Sequence, residues 1–173
     1  MYEWPHADVD EAARAALKAQ LEAILDLDVD AFPTRSELNR AIYNTGGLAI
    51  KAGSSAVVKT VNTIYGQIGA TLFSKTAADM AALAGTVTAD KFNVYVFMID
   101  AAGTLTTSMG TEGATLGAVV FPTVATTKAV IGFVIINPTG TGNFVGGTTP
   151  LDDGTVTPNA VYVNTVGAFV QPE

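Results

Sequence analysis

Apolar and polar positions recur at two different periods along this chain, and the change of period falls at Gly46-Gly47. Before it, Ala12, Ala13, Ala16, Leu17, Leu21, Ile24 and Leu25 lie three and four residues apart, a narrow apolar stripe on one face of a helix. Asp8 precedes that stripe with Glu11 three residues on, which predicts a capped helix over Asp8–Leu25. Its many alanines leave it thin, so that another backbone can approach closely. A second, short helix is predicted from Thr34, boxed by Glu37, to about Tyr43, with Gly46-Gly47 ending it.

After Gly47 the pattern is that of strands. Leu48–Lys51, Ala56–Val61 and Thr63–Phe73 are strand-like, the last as one or two strands meeting at glycines. Thr76-Ala-Ala-Asp79 predicts one short helix through Leu83, stopped by Gly85. Three stronger strands are expected at Phe92–Ile99, Leu116–Phe121 and Lys128–Ile136. Weaker ones follow at Asn143–Val145, Ala160–Asn164 and Gly167–Val170, and Asp100-Ala-Ala-Gly103 reads as a hairpin turn leading into Thr104–Ser108. Many short strands between Gly, Pro, Asn and Thr turns predict a mainly β chain: an antiparallel β-sandwich or jelly-roll-like domain over residues 47–173, preceded by an N-terminal helical arm of two helices over residues 1–46.

Two of these strands are apolar on both faces. In the first, Phe92, Val94, Val96 and Met98 alternate with Asn93, Tyr95, Phe97 and Ile99; in the second, Ile131, Phe133 and Ile135 alternate with Val130, Gly132, Val134 and Ile136. An antiparallel strand with one wet face alternates apolar and polar. Such strands are therefore central, with a second layer or the arm over the outer face, or else that face meets a partner subunit. The expected partner-binding residues are Leu17, Leu21, Ile24 and Leu25 on the helix and Tyr95, Phe97 and Ile99 on the strand.

Charge is as uneven as period. Residues 61–173 carry three lysines and seven acids, far below the usual quarter of a soluble domain, so the surface there is neutral and polar or covered by another subunit. A net charge of −7 with nine Lys and Arg supplies no basic face, which argues against nucleic acid as a partner. The longest apolar run, Ala129–Ile136, is too short to span a bilayer, and the first residues lack the sequence of a signal peptide; a soluble protein with no membrane partner is expected.

No constellation of catalytic or metal-binding residues emerges. There is no Cys and a single histidine, His6, so thiolate and ordinary zinc chemistry lack their parts; a Ser-His-acid triad would have to be built on the N-terminal arm that carries His6, and no G-x-S-x-G elbow is present. Asp26, Asp28, Asp30 and Glu37 match positions 1, 3, 5 and 12 of a calcium loop, but Ala31 stands where the sharp turn needs Gly and Pro33 where an aliphatic belongs. Gly140–Gly147 is rich in glycine without the G-x-G-x-x-G order or a following helix. Asp100, Glu112, Asp152 and Asp153 are the only acids available to paired-carboxylate chemistry, and all sit in predicted turns. The expectation is a non-enzyme with no cofactor, no metal and no catalytic residue. A glycan site would draw on Tyr2, Trp4, Phe144 and Tyr162, which are scattered.

The wording of three stretches, Tyr95–Thr106, Gly113–Pro122 and Lys128–Phe144, resembles small virion proteins of tailed bacteriophages, in which a low-charge, Gly- and Thr-rich β-domain follows a short helical arm. The resemblance covers about residues 60–165 and brings no catalytic residue with it. It implies localisation in the virion as a capsid decoration (cement) protein, a homotrimer seated on the major capsid protein or another virion protein. The alternative it implies is a fibre component that binds a receptor or glycan.

Overall fold

The computed structural model describes residues 39–139, 141–157 and 160–171. The helix expected at Asp8–Leu25 with Leu17, Leu21, Ile24 and Leu25, the calcium-like loop and His6 lie outside these residues, as does the start of the second expected helix.

The described chain is mainly β, in antiparallel sheets. Its strands are β1 (Arg40–Ile42), β2 (Leu48–Ile50), β3 (Val58–Thr60), β4 (Ile64–Ile68), β5 (Thr71–Lys75), β6 (Thr86–Val87), β7 (Asn93–Asp100), β8 (Leu105–Met109), β9 (Lys128–Ile136), β10 (Phe144–Val145), β11 (Val161–Asn164) and β12 (Gly167–Ala168). One four-stranded sheet runs β12-β1-β4-β5, another β11-β9-β7-β8, and two-stranded ribbons form from β2 with β3 and β6 with β10.

The two larger sheets contribute to one core. Ile42 and Ile64 from the first meet Tyr95, Phe97, Ile99, Ile131, Val134 and Ile136 from the second, all fully buried. A second, smaller cluster lies on the other side of β7 and β9: Val94, Val96, Met98 and Val130 are covered by Val119, Phe121 and Val124 of one irregular strap and by Phe169. Phe121, Phe133 and Phe169 gather there, with Phe121 edge-on to Phe133 at 5.1 Å between ring centres. The two-sided apolar strands are thus central strands, covered on both faces by their own chain. Tyr95, Phe97 and Ile99, expected to bind a partner, are interior residues with no exposed surface.

The faces of β7 follow strict alternation; those of β9 do not. Phe97 pairs with Gly132 but Met98 pairs with Val130, so Ile131 is an extra residue, a β-bulge. It turns Ile131 to the side of Val134 and Ile136 and leaves Phe133 and Ile135 with Val130, where uninterrupted alternation groups Ile131 with Phe133 and Ile135. Gly132 sits at this point because a Cβ there would collide with the Val163 carbonyl oxygen and the Leu48 side chain.

Three local expectations are corrected by tertiary pairing. The end of the second predicted helix is β1, laid between β4 and β12, with Ile42 in the core. The helix predicted at Thr76–Leu83 is extended: Thr60 N donates to Ala78 O (2.9 Å) and Met80 N to Val58 O (2.8 Å), so this stretch runs beside β3 and buries Met80 and Leu83. A single capped turn is a marginal helix, and two core side chains outweigh it. The strand predicted at Leu116–Phe121 starts instead as a 3₁₀ turn, Leu116–Ala118, and only Val120 pairs, with Thr111. Gly113 lies so close under this turn that a Cβ on it would stand 2.5 Å from the Ala118 carbonyl carbon.

Candidate interaction surface

Ile42, Ile64, Ile68 and Phe73 of the β12-β1-β4-β5 sheet face the core, so the residues that alternate with them point away from it. The register places Ala168, Ala41, Gln67 and Leu72 in one row across the four strands, and Tyr65 opposite Ser74 in the next. Tyr43 continues β1, its N–H donating to Tyr65 O (2.8 Å). Asn44 extends this ladder with its side chain, accepting from Tyr65 N (2.8 Å) and donating to Thr63 O (2.7 Å).

This outer face carries no charged side chain, yet Tyr43 and Tyr65 are each 52 % exposed and Leu72 is 71 % exposed. Two of its polar side chains are tied down locally: Tyr43 Oη donates to Gln67 Oε1 (2.6 Å), and Gln67 Nε2 donates to Gly69 O (2.6 Å). A close approach lies beneath this face. Gly66 pairs with Phe73, whose ring covers the glycine, and a Cβ on Gly66 would lie 2.6 Å from both Phe73 Cζ and Ala41 O. Four strands at about 4.8 Å spacing span roughly 14 Å, so the patch measures on the order of 200 Å². That is a quarter of the roughly 800 Å² per partner of a standard stable interface.

A second uncharged surface lies over the strap. No charged residue occurs from Gly113 to Thr127, and while Val119 and Phe121 point inward, Leu116 and Val120 are exposed. Charge depletion with exposed aromatic and aliphatic side chains is the signature of an interface core rather than of a solvated face.

The four acids considered for chemistry are all occupied in holding loops. Asp100 Oδ1 accepts from Ala102 N (2.9 Å) and Thr104 N (2.8 Å) and closes the β7–β8 turn. Glu112 takes both the N–H and the hydroxyl of Thr88 (2.9 Å each), Asp152 takes Ser54 N, and Asp153 takes Thr155 N and Val156 N. Backbone N–H donors, that of Thr104 first, hold Asp100 below the ordinary carboxylate pKa; the N–H of Thr88 does so for Glu112 and that of Val156 for Asp153. An open depression of about 520 Å³ is lined by Arg40, Asp100, Thr126 and Lys128 among others. Arg40 Nη1 donates there to Ala125 O (3.0 Å) and Lys128 O (3.3 Å), and Lys128 Nζ to Thr106 Oγ1 (3.0 Å), so its charges brace loops. Among the described residues no cluster of three His, Cys, Asp or Glu is placed to hold a metal, and no helix is long and apolar enough to cross a membrane.

One group stands apart. The Tyr95 hydroxyl is buried with no hydrogen-bond partner among the described residues, and burial pushes its pKa up to about 12. Sealed in the core, it meets no substrate.

Of the aromatics considered for glycan binding, Tyr2 and Trp4 lie outside the described residues, Phe144 is fully buried, and Tyr162 is half-buried on the core side of β11. The exposed pair is Tyr43 and Tyr65. The alternation Ile64-Tyr-Gly-Gln-Ile68 carried a signal for Tyr65; Tyr43 was hidden by the helical reading of its segment. Comparison with protein families, with characterised proteins and with solved structures gives no match to this chain.

Proposed function

We propose that this chain is a non-enzymatic structural protein of a virus particle, a capsid decoration (cement) protein that binds the shell through uncharged surfaces of its β-body. The observation that carries the reading is the outer face of β1, β4 and β5, where Tyr43, Tyr65 and Leu72 stand exposed without a charge among them. A patch of this size binds weakly once. Repeated over a shell and within an oligomer, weak contacts add to tight attachment, which is the demand on a cement protein. The phage-like wording of residues 60–165 supports the virion setting and implies three copies per assembly. In this reading the two four-stranded sheets are the layers of a jelly-roll-like sandwich, and the helix expected over Asp8–Leu25 is an arm that reaches a neighbour.

The test is to add purified protein to shells that lack it and locate it by electron microscopy. Density at regular shell positions is expected, with at least tenfold lower occupancy for a Tyr65→Glu, Leu72→Glu double variant. No density on the shell, or full occupancy by the double variant, refutes the proposal.

The paired tyrosines beside Gln67 favour one second reading, a fibre module that stacks a sugar ring on Tyr43 or Tyr65. Glycan binding lost on Tyr65→Ala, with no shell binding, would select it.

A further inference from the structure

We propose that β5 pairs edge to edge with β5 of a second copy, antiparallel, across a two-fold axis at Phe73. This rests on the β-body alone and not on the decoration reading.

Strand β5 is the last of its sheet; among the described residues no strand lies on its far side. The β4–β5 hairpin turns in two residues, Gly69 and Ala70, with Gly69 at φ +61°, the conformation the first position of such a turn requires. In a hairpin of this length the flanking pair Ile68↔Thr71 is hydrogen-bonded, and so by alternation are Gly66↔Phe73 and Ile64↔Lys75. Leu72 and Ser74 therefore aim their N–H and C=O groups away from β4. Edges of this kind are usually blunted by Pro, a bulge or repeated charge. Here Thr-Leu-Phe-Ser-Lys has no proline, its register with β4 is unbroken, and its one charge is the terminal Lys75.

The strand's own sequence identifies the occupant. With Phe73 facing Phe73 of the second copy, Leu72 lies opposite Ser74, and each such pair exchanges two hydrogen bonds, four in all. Thr71 then meets Lys75, so no like charges oppose; a parallel pairing sets lysine beside lysine. The chain's net charge is −7, and this edge carries no acid, so pairing here sets no carboxylate of one strand against a carboxylate of the other. Pairing also joins the two uncharged outer faces into one across eight strands, with Leu72 of each copy at the seam. An extended peptide from another protein would satisfy the same N–H groups, but it lacks this match of register and charge. The contact is small, so association depends on concentration. Were the chain also trimeric through another surface, the same pairing would join two trimers.

The chain has no cysteine, which allows a direct test in the full chain. Leu72→Cys and Ser74→Cys variants are mixed in a glutathione redox buffer and their disulfides separated by mass. Cα atoms about 5.5 Å apart in a paired ladder lie within disulfide range, so the mixed Leu72→Cys/Ser74→Cys product is expected at least tenfold over either homodimer. Ser74→Pro removes an outward N–H while sparing the β4 ladder. It is expected to keep the circular dichroism and thermal transition of the parent and to halve its mass at high concentration. A statistical mixture of the three disulfides, a wild-type chain whose mass shows no pairing at any concentration, or a Ser74→Pro chain of unchanged mass overturns the proposal.

Discussion

Replacing Tyr95 by Phe should stabilise this protein, against the usual outcome for a change in a core. Tyr95 is fully buried in the middle of β7, its ring edge-on to Phe144 at 6.0 Å, and its hydroxyl has no partner among the described residues. A buried hydroxyl without a hydrogen bond costs about 1–3 kcal/mol relative to one left in water. Tyr95→Phe removes that cost. It opens a void smaller than a methyl group and forfeits a handful of dispersion contacts, about 0.5 kcal/mol. The net expectation is a gain of roughly 1 kcal/mol, or a Tm rise of about 2–4 °C for a chain of this size. Alkaline pH supplies a second reading of the same group. Its pKa stands at about 12 in the fold against 10.0 ordinarily, so the unfolded chain ionises first. The raised value means that the folded state holds its proton longer. The stabilisation is complete below pH 10 and is lost as pH rises through 12, by about 1.4 kcal/mol per unit. The Phe variant lacks this loss, so its advantage should widen to about 3 kcal/mol near pH 12. Urea denaturation of both chains at pH 7.5 and at pH 11 measures each value. A Tyr95→Phe chain less stable than the parent at neutral pH would show that the hydroxyl is hydrogen-bonded, and an advantage that does not grow at pH 11 would show that burial does not hold its proton; either result refutes the reasoning.

Gly66→Ala should cost about 1–3 kcal/mol, because its Cβ meets the Phe73 ring and the Ala41 carbonyl oxygen, and the backbone oxygen cannot step aside; adding Phe73→Leu should recover part of the loss in chemical denaturation, and no recovery would place the clash on Ala41 alone. Acid should loosen the β7–β8 turn. The Asp100 carboxyl is held below its ordinary value of 3.8 chiefly by the Thr104 N–H, so its contribution is present above that value and is lost as pH falls through the lower folded pKa. Amide exchange at Ala102 and Thr104 should accelerate below about pH 4 once intrinsic rates are divided out; protection unchanged down to pH 2 would refute this role.

Much of the β-body can be read from local pattern. Lys128–Ile136 has the predicted bounds, and Phe92–Ile99 is displaced by one residue, because long runs rich in Val, Ile and Phe leave few other choices. The β4–β5 hairpin and the Asp100–Gly103 turn follow from glycines at positions that take positive φ. Two of the segments read wrongly share a cause. Arg40–Ile42 follows the capping box of Thr34 and Glu37, and Thr76–Leu83 opens on its own capping signal, each worth about a kilocalorie; the first instead pairs as β1 and buries Ile42, and the second runs beside β3 and buries Met80 and Leu83.

The candidate surface was legible only by halves. Sequence alone determined that few charges follow residue 60, that neither Cys nor a second His is present, and that two strands are apolar on both faces, because composition and period are properties of the chain itself. Which apolar residues lie outside was decided in three dimensions. Tyr95, Phe97 and Ile99 are interior because Ile42 and Ile64 of the other four-stranded sheet pack on their face, while the strap and Phe169 close the opposite face over Val94, Val96 and Met98; Tyr43, Tyr65 and Leu72 stay exposed because nothing described packs over theirs. Burial depends on what residues distant in sequence bring to a face. The Ile131 bulge marks the same limit within a single strand: period predicts sides only while the register holds, and register is set by the neighbouring strand.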